Sequence, residues 1–210
     1  KDVIIVALSA TIDNLGQFGA WLERVRDRPL ELIAETKRPV PLKNFLFHPK
    51  AGIFPPSRLK QVRKRFEEHR RNREYKKRDD SELVAELFNS NTLPVLYFCF
   101  SRRLCETKAR KFARKRWLDA KDIERVEAVW DEARSEFGFD DRRGPLSELK
   151  NQTCRGVACH HAGMLPLHKE MVERLFGAGL LKFLFTTETF ALGINMPARA
   201  VVFDSLTKFD

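Results

Sequence analysis

The chain has 210 residues, 43% of them hydrophobic and 32% charged, enough for one ordinary domain or parts of two. No apolar run approaches the roughly 20 residues of a bilayer-spanning helix. Four cysteines are too few for a disulfide scaffold at this length, so Cys99, Cys105, Cys154 and Cys159 are expected to be reduced cytosolic thiols.

Lys and Arg number 39 against 29 Asp and Glu, a net charge of +10. Such a surplus favours polyanionic partners, because each neutralised phosphate releases a counterion; a solubilising surface is the plain alternative. The distribution is uneven. From Arg58 to Arg78 there are eleven Lys or Arg and three Glu, and a second basic cluster runs from Arg102 to Arg116.

In chain order, Lys1 to Leu8 is a β-branched run of the kind that forms a strand buried on both faces, and Ser9-Ala10-Thr11 follows it directly. Opening inside a strand and stopping at Asp210 without a capping element are what a fragment is expected to do. Asn14 introduces a short helix carrying Phe18, Trp21 and Leu22, and Glu31 to Glu35 has the make-up of a second short strand. Arg38-Pro39-Val40-Pro41-Leu42 is extended, since two prolines forbid helix around themselves. Lys43 to Phe47 predicts an edge strand, Ala51 to Ser57 a loop, and the basic stretch through Asp80 a helix-permissive but apolar-poor segment. Ser81 to Phe88 is an amphipathic helix with a Ser cap.

Val95 to Phe100 is another buried-strand run. Helices are predicted from about Arg102 to Trp117 and from Asp119 to Phe137, then a loop from Gly138 to Pro145. Gly156 to Cys159 is a short strand, Leu167 to Phe176 an amphipathic helix, Leu181 to Phe185 a strand, Thr186 to Asn195 a turn or short helix, and Ala200 to Ser205 a last strand. Repeated strand–helix crossovers predict an α/β fold with a parallel sheet and helices on its faces. Chemistry gathers at the carboxyl ends of such strands. Ser9-Ala10-Thr11, Ser101-Arg102-Arg103, His160-His161-Ala162-Gly163 and Thr186-Thr187-Glu188 all sit just past a predicted strand.

Each cluster has a plain reading too. Ser9-Ala10-Thr11 alone reads as a helix entry, Arg102 as a solvated arginine, and Asn195 as a backbone cap. Cys154-x-x-x-x-Cys159-His160-His161 invites zinc, but the spacing matches no standard ribbon or finger, and no metal site is assigned.

Two strings decide between these readings: Phe185-Thr-Thr-Glu-Thr-Phe-Ala-Leu-Gly-Ile-Asn-Met-Pro-Ala198 and His160-His-Ala-Gly-Met-Leu-Pro166. Together they resemble the second motor domain of Superkiller-like DExH-box RNA helicases, superfamily-two enzymes built on two RecA-like domains. Leu8 to Ile12 with Trp21-Leu22, the Arg38 to Leu42 connection, and Phe100 to Glu106 match further blocks of that family in the same order.

The resemblance implies a partial two-domain RecA-like fragment. Residues 1–35 would be the C-terminal part of the first domain, 36–92 a connecting segment with a basic insertion, and 93–210 an incomplete second domain. It also implies roles. Ser9 and Thr11 would couple the nucleotide site to strand separation. Ser101, Arg102, His161, Gly163 and Thr187 would line the nucleic-acid path, where hydroxyl and guanidinium donors suit phosphate oxygens. Glu188 would brace its loop, since a carboxylate facing phosphate is repulsive, and Gly193 and Asn195 would meet ATP.

No Gly-x-x-x-x-Gly-Lys-Ser/Thr phosphate loop, Asp-Glu-x-His box or arginine-finger motif is present, so no catalytic residue is assigned. The implied parent is an ATP-dependent RNA helicase using ATP and Mg2+, which these 210 residues are expected not to hydrolyse alone. Implied partners are RNA and an RNA-decay complex, without a membrane; the implied location is cytoplasmic, with the nucleus as alternative. Two rivals stand: a DNA repair helicase of the related archaeal type, and a non-catalytic basic nucleic-acid-binding module.

Overall fold

A computed structural model describes residues 4, 6–9, 12–35, 37, 40–67, 81–188 and 197–205. The chain divides into two compact units, Lys1–Phe45 and Leu46–Asp210.

In the first unit, helix α1 (Leu15–Arg26) ends at Asp27, which takes a left-handed conformation with φ 50°. Gly19 is the one buried residue of that helix, and a Cβ there would stand 2.7 Å from Leu32 Cδ1. Glycine lets the following segment cross close to the helix. The Leu30 amide donates to Glu23 Oε1 at 2.9 Å, tying that crossing down. The strand expected at residues 1–8 is not formed where it is described. Ile4, Val6 and Leu8 are exposed and no strand pairs with them among the described residues. Glu31 to Glu35 likewise forms no strand. A β-branched run becomes a strand only when a neighbour satisfies its backbone.

The second unit opens with a hairpin, β1 (Leu46–His48) antiparallel to β2 (Gly52–Phe54), in place of the single edge strand and loop predicted. Its turn is held by Glu86, whose Oε1 accepts from the Ile53 amide at 3.0 Å. Helix α2 (Leu59–Glu67) occupies the start of the basic stretch, and α3 (Ser81–Asn89) buries Leu83, Val84 and Leu87.

The centre is a four-stranded parallel sheet in the order β4-β5-β3-β6: β3 (Val95–Phe98), β4 (Val157–His160), β5 (Phe183–Thr186) and β6 (Ala200–Phe203). Alternation splits the apolar side chains between two cores, as strand geometry requires. Val95, Tyr97, Val157, Cys159, Phe183 and Phe185 face α3 and α4 (Arg102–Phe112). Leu96, Ala158 and Leu184 face the side covered by α5 (Ala120–Phe137), α6 (Gly144–Thr153) and α7 (Pro166–Gly177). Helices on both faces of a parallel sheet are the RecA-like arrangement expected.

Local signals set the helix ends. Ser101 caps α4 and Asp119 caps α5, each side chain accepting from the amide three residues on, while Gly138 closes α5 with φ 67°. Helix α6 was hidden in the sequence by the loop-like Gly138 to Pro145. It packs through Leu149 and Thr153, the Thr153 Oγ1 accepting from the fully buried Trp130 indole at 3.0 Å.

Candidate nucleic-acid interface

Parallel register carries the ends of all four strands to one edge of the sheet. Phe98 stands opposite Thr186 and Phe203, and Thr186 opposite His160. The Cys99 amide donates to the Thr186 carbonyl at 2.7 Å, so the segments leading to Ser101 and to Thr187 leave adjacent strands side by side. The His161 to Gly163 turn leaves β4 at the same edge, closed by the Met164 amide donating to His161 O at 3.1 Å.

Three of the predicted residues meet there. A Cβ placed on Gly163 would lie 3.2 Å from Arg102 Nη1, 3.3 Å from Arg102 Cδ and 3.3 Å from His161 Nδ1. Arg102 therefore lies across Gly163 while remaining exposed, and it is the first residue of α4, the helix end whose dipole favours anions. The Ser101 Oγ accepts from the Leu104 amide at 3.2 Å; a capping hydroxyl still has its proton to donate, and Ser101 is exposed.

His161 is buried. Its Nε2 lies 3.3 Å from Glu106 Oε1, an ion-pair distance without hydrogen-bond alignment, and neither ring nitrogen has a hydrogen-bond partner among the described residues. Its ring is thus packed against the turn at Gly163 and against Glu106 of α4. The neighbouring His160 reaches Glu173 Oε1 at 2.8 Å, and burial pushes its pKa down despite that carboxylate. Thr187 is half-buried and Glu188 exposed just past β5, where Thr186 Oγ1 donates to the Thr187 carbonyl at 3.1 Å. Ser9 lies in the first unit, exposed ahead of α1. Thr11, Gly193 and Asn195 lie outside the described residues.

Beneath the edge is a polar group that sequence reasoning missed. Lys108, on the inner face of α4, places Nζ 2.8 Å from Asp204 Oδ1 just past β6 and 3.2 Å from the Tyr97 hydroxyl, which itself donates to Asp204 Oδ1 at 3.0 Å. A signal existed: Cys105, Lys108, Ala109 and Phe112 share one helical face, and a lysine on a buried face needs a partner. This group ties the middle of α4 to the end of the edge strand β6.

Three of the four cysteines are held in the thiol form by their surroundings. Burial pushes Cys159 up to about 12 and raises Cys154, and a hydrogen bond with Cys105 together with burial raises Cys99. The same hydrogen bond lowers Cys105, which is wholly buried. Among the described residues, no three His, Cys, Asp or Glu side chains group as a metal would require, and no helix is long and apolar enough to cross a membrane.

No family model matches the chain. It is 34% identical over 97% of its length to an uncharacterized helicase of Schizosaccharomyces pombe, of which it spans 22%. It is 33% identical over 99% of its length to Superkiller complex protein 2 of Homo sapiens, spanning 19% of that protein. It is 32% identical over 98% to the ATP-dependent RNA helicase mtr4 of Schizosaccharomyces pombe, spanning 21%. The chain thus spans about a fifth of the relatives it matches, and the likeness covers nearly all of its own length. Along nearly all of its length, and with the parallel sheet of a RecA-like domain, the chain is similar to a piece of the Superkiller- and Mtr4-type DExH-box RNA helicases.

Proposed function

We propose that this chain is part of an ATP-dependent RNA helicase that translocates on RNA and separates its strands, the sheet edge of the second unit serving as the grip on one strand. The observation that carries the proposal is Arg102 lying across Gly163 beside Ser101, with Thr187 leaving the adjacent strand. Exposed guanidinium and hydroxyl donors at a helix N-terminus suit phosphate oxygens and carry no base code, so binding would be nearly independent of sequence.

ATP with Mg2+ would drive the motor in the whole protein. The chain's sequence holds no phosphate loop or Asp-Glu box, so no catalytic step is assigned to it. Domains are read as 1–35, 36–92 and 93–210, and the setting as an RNA-decay complex in the cytoplasm.

The test is fluorescence anisotropy with the 210-residue chain, titrated against single-stranded oligouridylate, mixed-sequence RNA and matching DNA. Similar affinity for both RNAs, weakened by Arg102→Gln, is the expected result. Absence of RNA binding at low salt overturns the grip. Clear preference for DNA turns the reading to a DNA repair helicase. Magnesium-dependent ATP hydrolysis by the chain alone would overturn its dependence on the remainder of the protein.

A further inference from the structure

The RNA-facing edge uses only the first turn of α4, yet the helix stays basic to its end. From Arg102 to Arg116 there are eight Lys or Arg and one acidic residue, Glu106. Lys108 turns inward to Asp204, whereas Arg103, Arg110, Lys111, Arg114, Lys115 and Arg116 are exposed.

At the far end of α4 lies an open groove of about 600 Å³ between α4 and α6, lined by Arg110, Ala113, Arg114, Glu148, Asn151 and Gln152. Two guanidiniums and two carboxamides share this groove. Guanidiniums suit phosphate oxygens, and carboxamides suit the hydroxyls of ribose. The carboxylates present do not cancel them. Arg110 Nη2 is 3.3 Å from Glu106 Oε2, but both side chains are well exposed, a pair of little strength that a phosphate can displace. Glu148 is one charge against two.

Arg103 and Arg110 are seven residues apart on one helix, roughly 10 Å along its axis at about 1.5 Å per residue, so a single strand can touch both. The groove also discriminates between occupants. Its one apolar lining residue is Ala113, so it has no socket for the aromatic or aliphatic anchor on which protein interfaces depend.

We propose that Arg103, Arg110 and Arg114, with Asn151 and Gln152, form a second RNA-binding surface on the outside of α4, which holds the sugar–phosphate backbone of a strand beyond the Arg102 edge. The inference rests on the RNA-gripping reading above and adds to it a site size longer than the sheet edge alone would give.

The experiment uses the full 210-residue chain and two oligouridylates, one of about 6 and one of about 24 nucleotides, lengths that bracket the roughly 4–16 nucleotides of single binding modules. The substitution pair R110Q/R114Q leaves the edge intact and lies on exposed positions; thermal melting checks the fold. Affinity for the long RNA is expected to fall about tenfold or more. Its log–log salt dependence should become shallower by about 1.4, at about 0.7 per lost phosphate contact on a single strand. Affinity for the short RNA should stay within twofold. The control pair R142Q/R143Q removes the same formal charge elsewhere and should change neither.

Unchanged affinity and slope for the long RNA overturn the proposal. So does an equal fall for both lengths, or an equal fall in the control pair, which would make net charge the cause. If the unsubstituted chain binds neither oligonucleotide, the RNA reading itself fails. If it binds the short one and length adds nothing, only the second surface fails.

Discussion

Arg102 lies across the Cα of Gly163, so closely that a methyl group there would come within 3.2 Å of its guanidinium. Gly163 has no left-handed backbone requirement, so its value lies in the space it leaves. Gly163→Ala is therefore expected to leave the melting temperature nearly unchanged while displacing Arg102, lowering RNA affinity about threefold to tenfold. Anisotropy titration checks this. Combining Gly163→Ala with Arg102→Gln should cost little more than Arg102→Gln alone, because both remove one contact. Fully additive losses would place the two residues in separate roles.

Lys108, Asp204 and Tyr97 form a polar group inside the molecule. Lys108→Met should destabilise the fold by about 3 kcal/mol, because it leaves a largely buried carboxylate without its cation. Adding Asp204→Asn should recover part of that loss. Urea denaturation of both single variants and the double variant reads the coupling, and strict additivity would show that the ion pair is not what matters.

Asp141 is buried, with Arg134 Nη2 at 2.9 Å and Lys150 Nζ at 2.6 Å. The Arg134 hydrogen bonds hold its carboxyl down at about 2. A depressed carboxylate contributes stability that is complete above its ordinary pKa near 4 and is lost as pH falls toward 2. Asp141→Asn should thus destabilise by about 2 kcal/mol at neutral pH, and the difference from the parent chain should vanish between about pH 4 and pH 2. Equal stability differences at pH 7 and pH 2.5 would contradict this origin.

Trp130 joins α5 to α6, fully buried and donating to Thr153. Trp130→Phe removes the donor and part of the volume and should cost about 1–3 kcal/mol; Trp130→Ala leaves a cavity and should cost about 3–5 kcal/mol. Chemical denaturation orders the two, and the reverse order would mean that the site collapses around the smaller side chain.

His160 titrates below its ordinary range because burial disfavours its cation. Stability on its account is complete above about pH 6.5 and falls as pH drops through the lowered value, where the folded state resists protonation. His160→Gln should flatten that part of the stability–pH curve, measured by melting between pH 5 and pH 7.5. An unaltered curve would assign the pH dependence to other groups.

Much of the second unit was legible along the chain. Val95 to Phe98 and Phe183 to Thr186 are short apolar runs buried on both faces, and Ser101 and Asp119 are helix caps that act through their immediate neighbours. Local signals of that kind survive without tertiary information. The hairpin at Leu46–Phe54 and helix α6 were not legible, because Glu86, 33 residues beyond Ile53, supplies one tie, and Trp130 supplies the other across 23 residues. At residues 4 and 6–8 the expected strand is absent for the same reason inverted: its propensity had no ladder partner among the described residues.

The sequence by itself determined the buried strands at Val95–Phe98, Val157–His160 and Phe183–Thr186, the caps at Ser101 and Asp119, and the polar clusters that follow those strands, since all of these depend on neighbours a few positions away. Only the tertiary structure decided that Ser101, Arg102, Gly163 and Thr187 share one edge, that His161 is packed against the turn at Gly163, and that Lys108 spends its charge on Asp204. Strand order and parallel register bring those groups together, and neither is encoded in the spacing of residues along a single element.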